Sequence, residues 1–507
     1  MKTLWDAAVK RAFLLALLIG VLGAAIAIGC GASSSSSTSP AVDDDDDASP
    51  IDDDATPTDD DASPADDDAS PTAPEDYWIP STVVPMSVYS PVRGLTLQRG
   101  LVHAHSVHSW DACDENPQPG GQPNVQCLAQ FRTALCTTDQ QFVMLTDHAN
   151  MFADYEFPAV LLYLPNAGDQ LLYDGNAPIA NVISCPDGGK VILTAGTENN
   201  LMPIHMTRQL DGSPDERKAL YGGSDEATVQ GLKPLGAQVI VNHSEEWQTD
   251  AIGALSVDGM EFYNLHANLG TDTTHKIQTI LKVLPYILPY SKAGHPDLVL
   301  LSFFSAIAMD TLTFDKLTAS RHLVGVMGTD CHRNAIPFAL SDGDRGDSYR
   351  RVMRWFSNYL LTTTQDLAGI EDALSKGRLY GAFSVFGEPV GFDYHAETTV
   401  GTAEMGDQIV LADNPVLHVT LPKFYNMDPS LPAPAFTAKI IKADPNGGIT
   451  VASSTGPEIV YTVASPGSYR VEVDVVPNHL RKWLGAHPDQ YIQNYPLIYA
   501  NPIYVTE

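Results

Sequence analysis

Basic residues are scarce in this chain. Lys and Arg number 29 against 62 Asp and Glu, a net charge of −33 over 507 residues. Residues 31–76 hold no Lys or Arg and carry −16, and residues 77–507 carry −19, so the body is acidic in its own right. Such a body repels nucleic acid and anionic membrane surfaces, which excludes both as bulk partners, but it does not repel metal cations. No Gly-rich phosphate loop of the Walker type is present, and no Gly-x-Ser-x-Gly elbow. Cysteine is sparse, with six in all. What is plentiful is apolar sequence, at 44%, enough for a large core and against global disorder.

The N-terminus reads as a targeting segment. Lys2, Lys10 and Arg11 precede an apolar run at 12–28, which ends Ala27-Ile28-Gly29-Cys30. Small residues before a Cys resemble a bacterial lipobox, in which the leader at 1–30 is cleaved and Cys30 lipidated. An uncleaved anchor is the alternative, and 17 apolar residues stand at the short limit for spanning. Either reading puts the body outside the cytoplasm. Gly31 after Cys30, where Asp would favour the inner membrane, points to the outer membrane or cell surface. From Ala48 the chain repeats ASPIDDD, ATPTDDD, ASPADDD. The period of seven has no apolar seam, so it is not a coiled coil. Pro and like charges extend such a chain, and residues 31–76 at about 3.1 Å each reach roughly 140 Å. The segment reads as a spacer. A calcium-binding array is the sharper alternative, but the Asp clusters lack the Gly and spaced ligands of a defined loop.

In the body, short apolar β-rich runs at 99–105, 141–146, 190–197, 238–242, 258–263, 323–329 and 379–384 alternate with helical patterns at 125–137, 273–290, 305–321 and 366–376. That alternation predicts a parallel α/β sheet, and about seven such units favour closure into a barrel over 77–390. Beyond 391 short strands with turn signals replace helix, which predicts a β-sandwich over 391–507.

Polar residues close the apolar strands. His103 and His105 end the first, Asp147 and His148 the second, Glu198 the third, His243 the fourth, and Asp330 and His332 a later one. In a parallel barrel these C-terminal ends form one rim, where sites gather. Alternation along a strand puts His103 and His105 on one face, and likewise Asp330 and His332. One such residue is ordinary; five successive strands with His, Asp or Glu at the same end are not. Imidazole mixed with carboxylate suits Zn, Mn or Fe, and the number of donors exceeds what one ion takes. Glu261, Asn264 and His266 follow another strand as outlying candidates, and Glu245-Glu246 read as a solvated helix start.

This order resembles the PHP (polymerase and histidinol phosphatase) metallohydrolases, distorted (β/α)7 TIM-like barrels with usually three metals, and within them the CehA/McbA-like branch. The resemblance covers about 95–505. His103, His105, Ser109 and Asp111 match the first motif, with His108 competing for the third ligand position. Thr146-Asp147-His148, Gly196-Thr197-Glu198, His205, Asn242-His243 and Gly328-Thr329-Asp330-Cys331-His332 match the next ones, with Thr329 where Ser is usual. Gly377-Arg378-Leu379-Tyr380 and the Asn-Pro-Ile-Tyr-Val at 501–505 follow. The resemblance implies one ion on His103, His105, Glu198 and Asp330. A second would share Glu198 and add His205 and His243, and a third would use Asp111, His148 and His332. It also implies that Asp147 orients an imidazole, and that Arg378 and Arg333 are candidates to meet substrate oxygens. Two or three such ions acidify a bridging water and neutralise phosphoryl oxygens, the chemistry of phosphoester hydrolysis by metal-bound hydroxide. Hydrolysis of a carbamate or other non-phosphate ester is the alternative within the same chemistry, and a non-catalytic surface binding lipoprotein the alternative outside it. The implied partner is a small-molecule ester, with membrane contact through the lipid alone.

With Cys30 lipidated and Cys331 set between two ligands, Cys113, Cys127, Cys136 and Cys185 allow three pairings. Cys113–Cys127 would close a loop in the Pro- and Gly-rich insertion at 111–124. Cys136–Cys185 would then brace the loops around the second strand. An oxidising compartment permits both.

Overall fold

The computed structural model describes residues 76–269, 286 and 293–507. The leader at 1–30, all but the last residue of the spacer, and the helix expected at 273–290 apart from residue 286 lie outside the described residues. Residues 78–507 form one compact unit of mixed α and β structure with extensive sheet.

The strands of the first part that position the site are β1 (Thr96–Ala104), β2 (Phe142–Leu145), β3 (Lys190–Thr194), β4 (Met202–Ile204), β5 (Gln238–Val241), β6 (Gly259–Asn264), β7 (Val324–Cys331), β8 (Ser357–Thr362) and β9 (Leu379–Ala382). Parallel pairings run β3–β2–β1–β7–β6–β5. β4 then pairs antiparallel with β5, and an isolated antiparallel bridge between Ala195 and Met206 links its far side to the end of β3. The sheet is therefore not uniformly parallel, contrary to the parallel sheet that the alternation predicts. The cause is length: three residues return from the Glu198 end without a helix, so the chain can only double back.

Four helices matter here: α1 (Val125–Thr137), α2 (Ala308–Thr318), α3 (Tyr349–Met353) and α4 (Leu367–Lys376). Asn124 caps α1 by accepting from Cys127 N, and Asp366 caps α4 by accepting from Gly369 N. The apolar face of α4, Ile370, Ala373 and Leu374, packs with Val102, Phe142, Met144, Ile204, Ile240 and Val326 in one buried cluster.

The first half of β1 also pairs antiparallel with β8, and β8 with β9. β9 pairs with β12 (Tyr495–Ala500), which pairs with β11 (Gly467–Val476), which pairs with β10 (Ala435–Asp444). One sheet thus runs without a break across residue 390. A second, four-stranded antiparallel sheet is built from Gly401–Glu404, Asp393–Thr398, Val416–Thr420 and Glu458–Thr462. Tyr394 Oη, from this sheet, donates to the carbonyl of Tyr469 in β11 at 2.6 Å.

Both disulfides suggested by spacing are present, Cys113–Cys127 and Cys136–Cys185, and Cys331 is free and buried. Among the described residues no helix is long and apolar enough to cross a membrane.

Candidate metal centre

The site is made where strands stop being regular. His103 and Asp330 both have positive φ, 66° and 49°, and both sit at register shifts, between Val102 and Ala104 in β1 and opposite them in β7. A bulge changes which face the next side chain meets. Val102 therefore packs into the apolar cluster with Phe142 and Met144, while its neighbour His103 still joins the polar groups at the strand ends. His243, just past β5, has φ of 45°. Residues held at such angles cost of order 1–3 kcal/mol each and persist only where surrounding contacts over-determine them.

Glu198 and Asp330 lie at the centre of a ring of imidazoles. Glu198 Oε2 is 2.7 Å from His148 Nδ1 and 3.9 Å from His105 Nε2; its Oε1 is 3.2 Å from His243 Nε2 and 3.9 Å from His103 Nε2. Asp330 Oδ1 is 3.4 Å from His103 Nε2 and 3.3 Å from His105 Nε2, and its Oδ2 is 3.3 Å from His243 Nε2. Asp111 stands at the outer side, 3.2 Å from His148 Nε2 and 3.4 Å from His332 Nε2. Three overlapping groups have donor atoms within 4.8 Å of one another: His103, His105 and Asp330; His103, Glu198 and His243; His105, His148 and His332.

The other ring nitrogens are held by separate partners, which fixes ring orientation. His103 Nδ1 meets Glu261 Oε1 at 2.6 Å, and His105 Nδ1 meets Ser109 Oγ at 2.7 Å. His243 Nδ1 lies 3.2 Å from Glu245 Oε1, and His332 Nδ1 is 3.0 Å from the carbonyl of Asp330. The Nε2 atoms of His103 and His105 and Oδ1 of Asp111 are buried with no hydrogen bond. Buried donors left in this way, within overlapping groups of imidazoles and carboxylates, fit divalent cations. Gly328 belongs to this arrangement: a Cβ there would fall 1.8 Å from Glu261 Oε1.

Asp147 takes part through others. Its carboxylate accepts from Ser106 N, Ser106 Oγ and Ser109 Oγ, and Ser109 in turn holds His105. His108 turns away from the ring, 3.2 Å from the carbonyl of Ala159, so Asp111 and not His108 faces His148 and His332. His205 does not join. It ends β4, which runs antiparallel to β5 with Ile204 beside Gln238, so its strand end is at the other rim, where it pairs with Glu371 of α4 at 2.5 Å. Arg378 is likewise misplaced for substrate contact. It precedes β9, hydrogen-bonds the carbonyl of Leu361 and pairs with Asp372, beside the start of β1. Arg333 is near the centre but paired with Asp114 at 3.2 Å. Glu261 and Glu245 are the residues the sequence undervalued. Glu261 lies inside its strand, before Phe262 and Tyr263, and not at its end, and Glu245 had no local signal. The side chain of His266 lies outside the described residues.

Charge dominates the protonation states. Burial holds the His105 imidazole well below its ordinary pKa, with His332 adding to it. Burial also opposes protonation of His103, but Asp330, Glu261 and Glu198 outweigh it and raise its pKa to about 9. His148 and His243 are raised well above the usual value against burial, His148 chiefly by Glu198 and His243 by Asp330 and Glu198. Glu198 stays well below the carboxylate range despite burial, because His148 and His243 face it.

A metal takes only the neutral imidazole. The metal-free chain at pH 7 must therefore release protons when it binds ions, and its affinity should rise with pH up to about 9. Calorimetric titration with Zn2+ in two buffers of different ionisation enthalpy measures that release; a heat independent of buffer would refute it. Stability without metal has the opposite sign. The contribution of His103 is complete below 6.5 and is lost as pH rises through about 9.

No protein-family model matches the chain, and no curated protein does. Among solved structures, the crystal structure of a two-domain protein containing a predicted PHP-like metal-dependent phosphoesterase from Bacteroides vulgatus matches with a TM-score of 0.30 and 13% identity, over 82% of this chain and 97% of that one. A likeness of that size leaves the functional reading to the side chains.

Proposed function

We propose that this chain is a metal-dependent hydrolase of the PHP kind, in its CehA/McbA-like branch, acting on phosphoesters at a centre of two to three Zn, Mn or Fe ions. The observation that carries the reading is the convergence of His103, His105, His148, His243 and His332 on Glu198 and Asp330, with Asp111 at the outer side. Ions held there would supply water acidified toward neutrality and positive charge for ester oxygens. The chain's own residues hold the ions and neutralise their charge, while Glu261, Glu245 and Ser109 fix the rings.

The same proposal reads the run of strands β3–β2–β1–β7–β6–β5–β4 as a distorted seven-stranded barrel over 77–390 and the later strands as a β-sandwich over 391–507. Cys30 would carry lipid, residues 31–76 would hold the body off the membrane, and the body would lie outside the cytoplasm at the cell envelope. Replacing Cys30→Ser should release the chain to the soluble fraction or leave an unprocessed precursor; unchanged processing and detergent partitioning would exclude lipidation.

One observation favours a second substrate class. Both arginines expected to meet phosphoryl oxygens are engaged with carboxylates, Arg378 at the far rim and Arg333 on Asp114. That leaves the ester's charge to the ions and suits a diester or an uncharged carbamate better than a doubly charged monoester. The deciding experiment loads residues 77–507 with Zn2+ or Mn2+, counts ions per chain, and measures turnover of bis(p-nitrophenyl) phosphate beside an aryl carbamate. Fewer than one ion per chain would overturn the metal reading, and full metal with neither turnover would leave a binding protein.

A further inference from the structure

We propose that the Cys113–Cys127 disulfide is a positioning element of this centre, so that the outer group of Asp111, His148 and His332 is complete only in the oxidised chain. This rests on the metal reading above.

Asp111 is the one candidate ligand that does not stand at a strand end. It opens the insertion at 111–124, a Pro- and Gly-rich stretch with no apolar periodicity to fold it locally. After Ala112, Cys113, Asp114 and Glu115 all have positive φ, 57°, 61° and 59°. Three successive side-chain-bearing residues in the left-handed region are unfavourable for L-residues, which visit it singly. The segment must be held by its ties.

Those ties have different strengths. Cys113 N donates to the carbonyl of His332 at 3.0 Å, Asp114 N to that of Arg333 at 3.1 Å, and Asn334 Nδ2 to that of Asp111 at 2.8 Å. The Asp114 carboxylate, more than a third exposed, pairs with Arg345 at 2.8 Å and Arg333 at 3.2 Å, and pairs of that exposure contribute little in salt. The covalent tie runs from Cys113 to Cys127 in the first turn of α1, and both cysteines are buried. α1 is itself seated: Phe131 packs edge-on against Tyr349 of α3 at 5.1 Å. Cys127 Sγ lies 3.7 Å from Tyr349 Oη, and that hydroxyl donates to the carbonyl of His105 at 3.2 Å. The disulfide thus connects the loop bearing Asp111 to the helix pair that also supports His105. Cys136–Cys185, at the other end of α1, holds no candidate ligand loop and serves as an internal control.

Reduction by a trialkylphosphine breaks the S–S bond; the phosphine becomes its oxide, and water supplies the oxygen and both thiol protons. The loop then keeps only its non-covalent ties.

The test uses the full chain in three forms: parent, Cys113→Ser/Cys127→Ser, and Cys136→Ser/Cys185→Ser. Each is loaded with Zn2+, freed of excess, and assayed for zinc per chain, with folding checked by circular dichroism. Backbone hydrogen exchange over 106–118 is followed in the zinc-free state. The Cys113/Cys127 variant should lose about one zinc per chain relative to the parent and exchange faster over 106–118. The control should match the parent in both. Phosphine-treated parent, with its new thiols counted by alkylation, replaces the variant if the variant does not fold. Equal zinc and equal exchange in parent and Cys113/Cys127 variant would overturn the inference. A parent that binds no zinc refutes the metal reading instead, and the exchange comparison still decides whether the disulfide holds the loop.

Discussion

Glu198→Gln should empty at least one ion position and cost hydrolysis more than the roughly 10–100-fold that changes in outer partners of metal ligands cost. The shape of the side chain is kept; what is lost is one negative charge among four imidazoles. Glu198 is 3% exposed and stands between His148 and His243 at 2.7 and 3.2 Å, with the Nε2 atoms of His103 and His105 at 3.9 Å. Asn242 Nδ2 already donates to its Oε1 at 2.8 Å, so a glutamine with its oxygen there would turn an NH2 group toward His148. Cations brought together with one fewer anion between them repel, so one should be lost, and water on a single remaining ion is less acid than water shared by two. Metal per chain and turnover are compared with Glu458→Gln, an exposed carboxylate on a late strand. Full metal and full rate in Glu198→Gln would mean that the ions, if bound, sit elsewhere.

Arg470→Met should cost about 3–5 kcal/mol of stability, the scale of a buried ion pair left with one partner. Arg470, on β11, is 4% exposed and its Nη2 lies 2.8 Å from Asp315 Oδ2 on α2; Asp315 is 3% exposed. The pair ties a helix before residue 390 to a strand after it. The double variant Arg470→Met/Asp315→Leu should recover part of the loss, because Asp315 no longer buries a charge, while Glu472 still loses its 2.7 Å contact with Arg470 Nη1. Urea unfolding followed by fluorescence measures both. Since one sheet crosses residue 390, each variant should unfold in a single transition. A loss under about 1 kcal/mol for Arg470→Met, or two separate transitions, would contradict this account.

How far the sequence could be read depended on how local each signal was. The runs at 141–146, 190–197, 238–242 and 323–329 became strands because each is apolar, β-rich and long enough to show it. Met202–Ile204 has three residues, too few for any periodicity, and its reversal carried His205 to the wrong rim. Ser357–Thr362 carries no clear strand signal, because it is buried on both faces and mixes Ser, Asn and Tyr with its leucines. Arg378 looked available because its partners, Leu361 and Asp372, come from elements whose packing no spacing reveals.

By itself the sequence determined which donors exist and that all but Asp111 close apolar strands, along with the acidic charge, the leader-like terminus and cysteine spacings compatible with the two bridges. Those properties are read from composition and from the order of residues along the chain. Tertiary structure alone decided which donors meet. Bulges at His103 and Asp330 switch the facing of two strands at their last turn of register, and Glu261 arrives on His103 through pairing between distant segments, while Glu245 reaches His243 across the tight turn after β5. The reason is physical: the angle of a bulge and the register of a neighbour are set by contacts between strands far apart in sequence, as Val102 beside Gly328, and no local pattern encodes them.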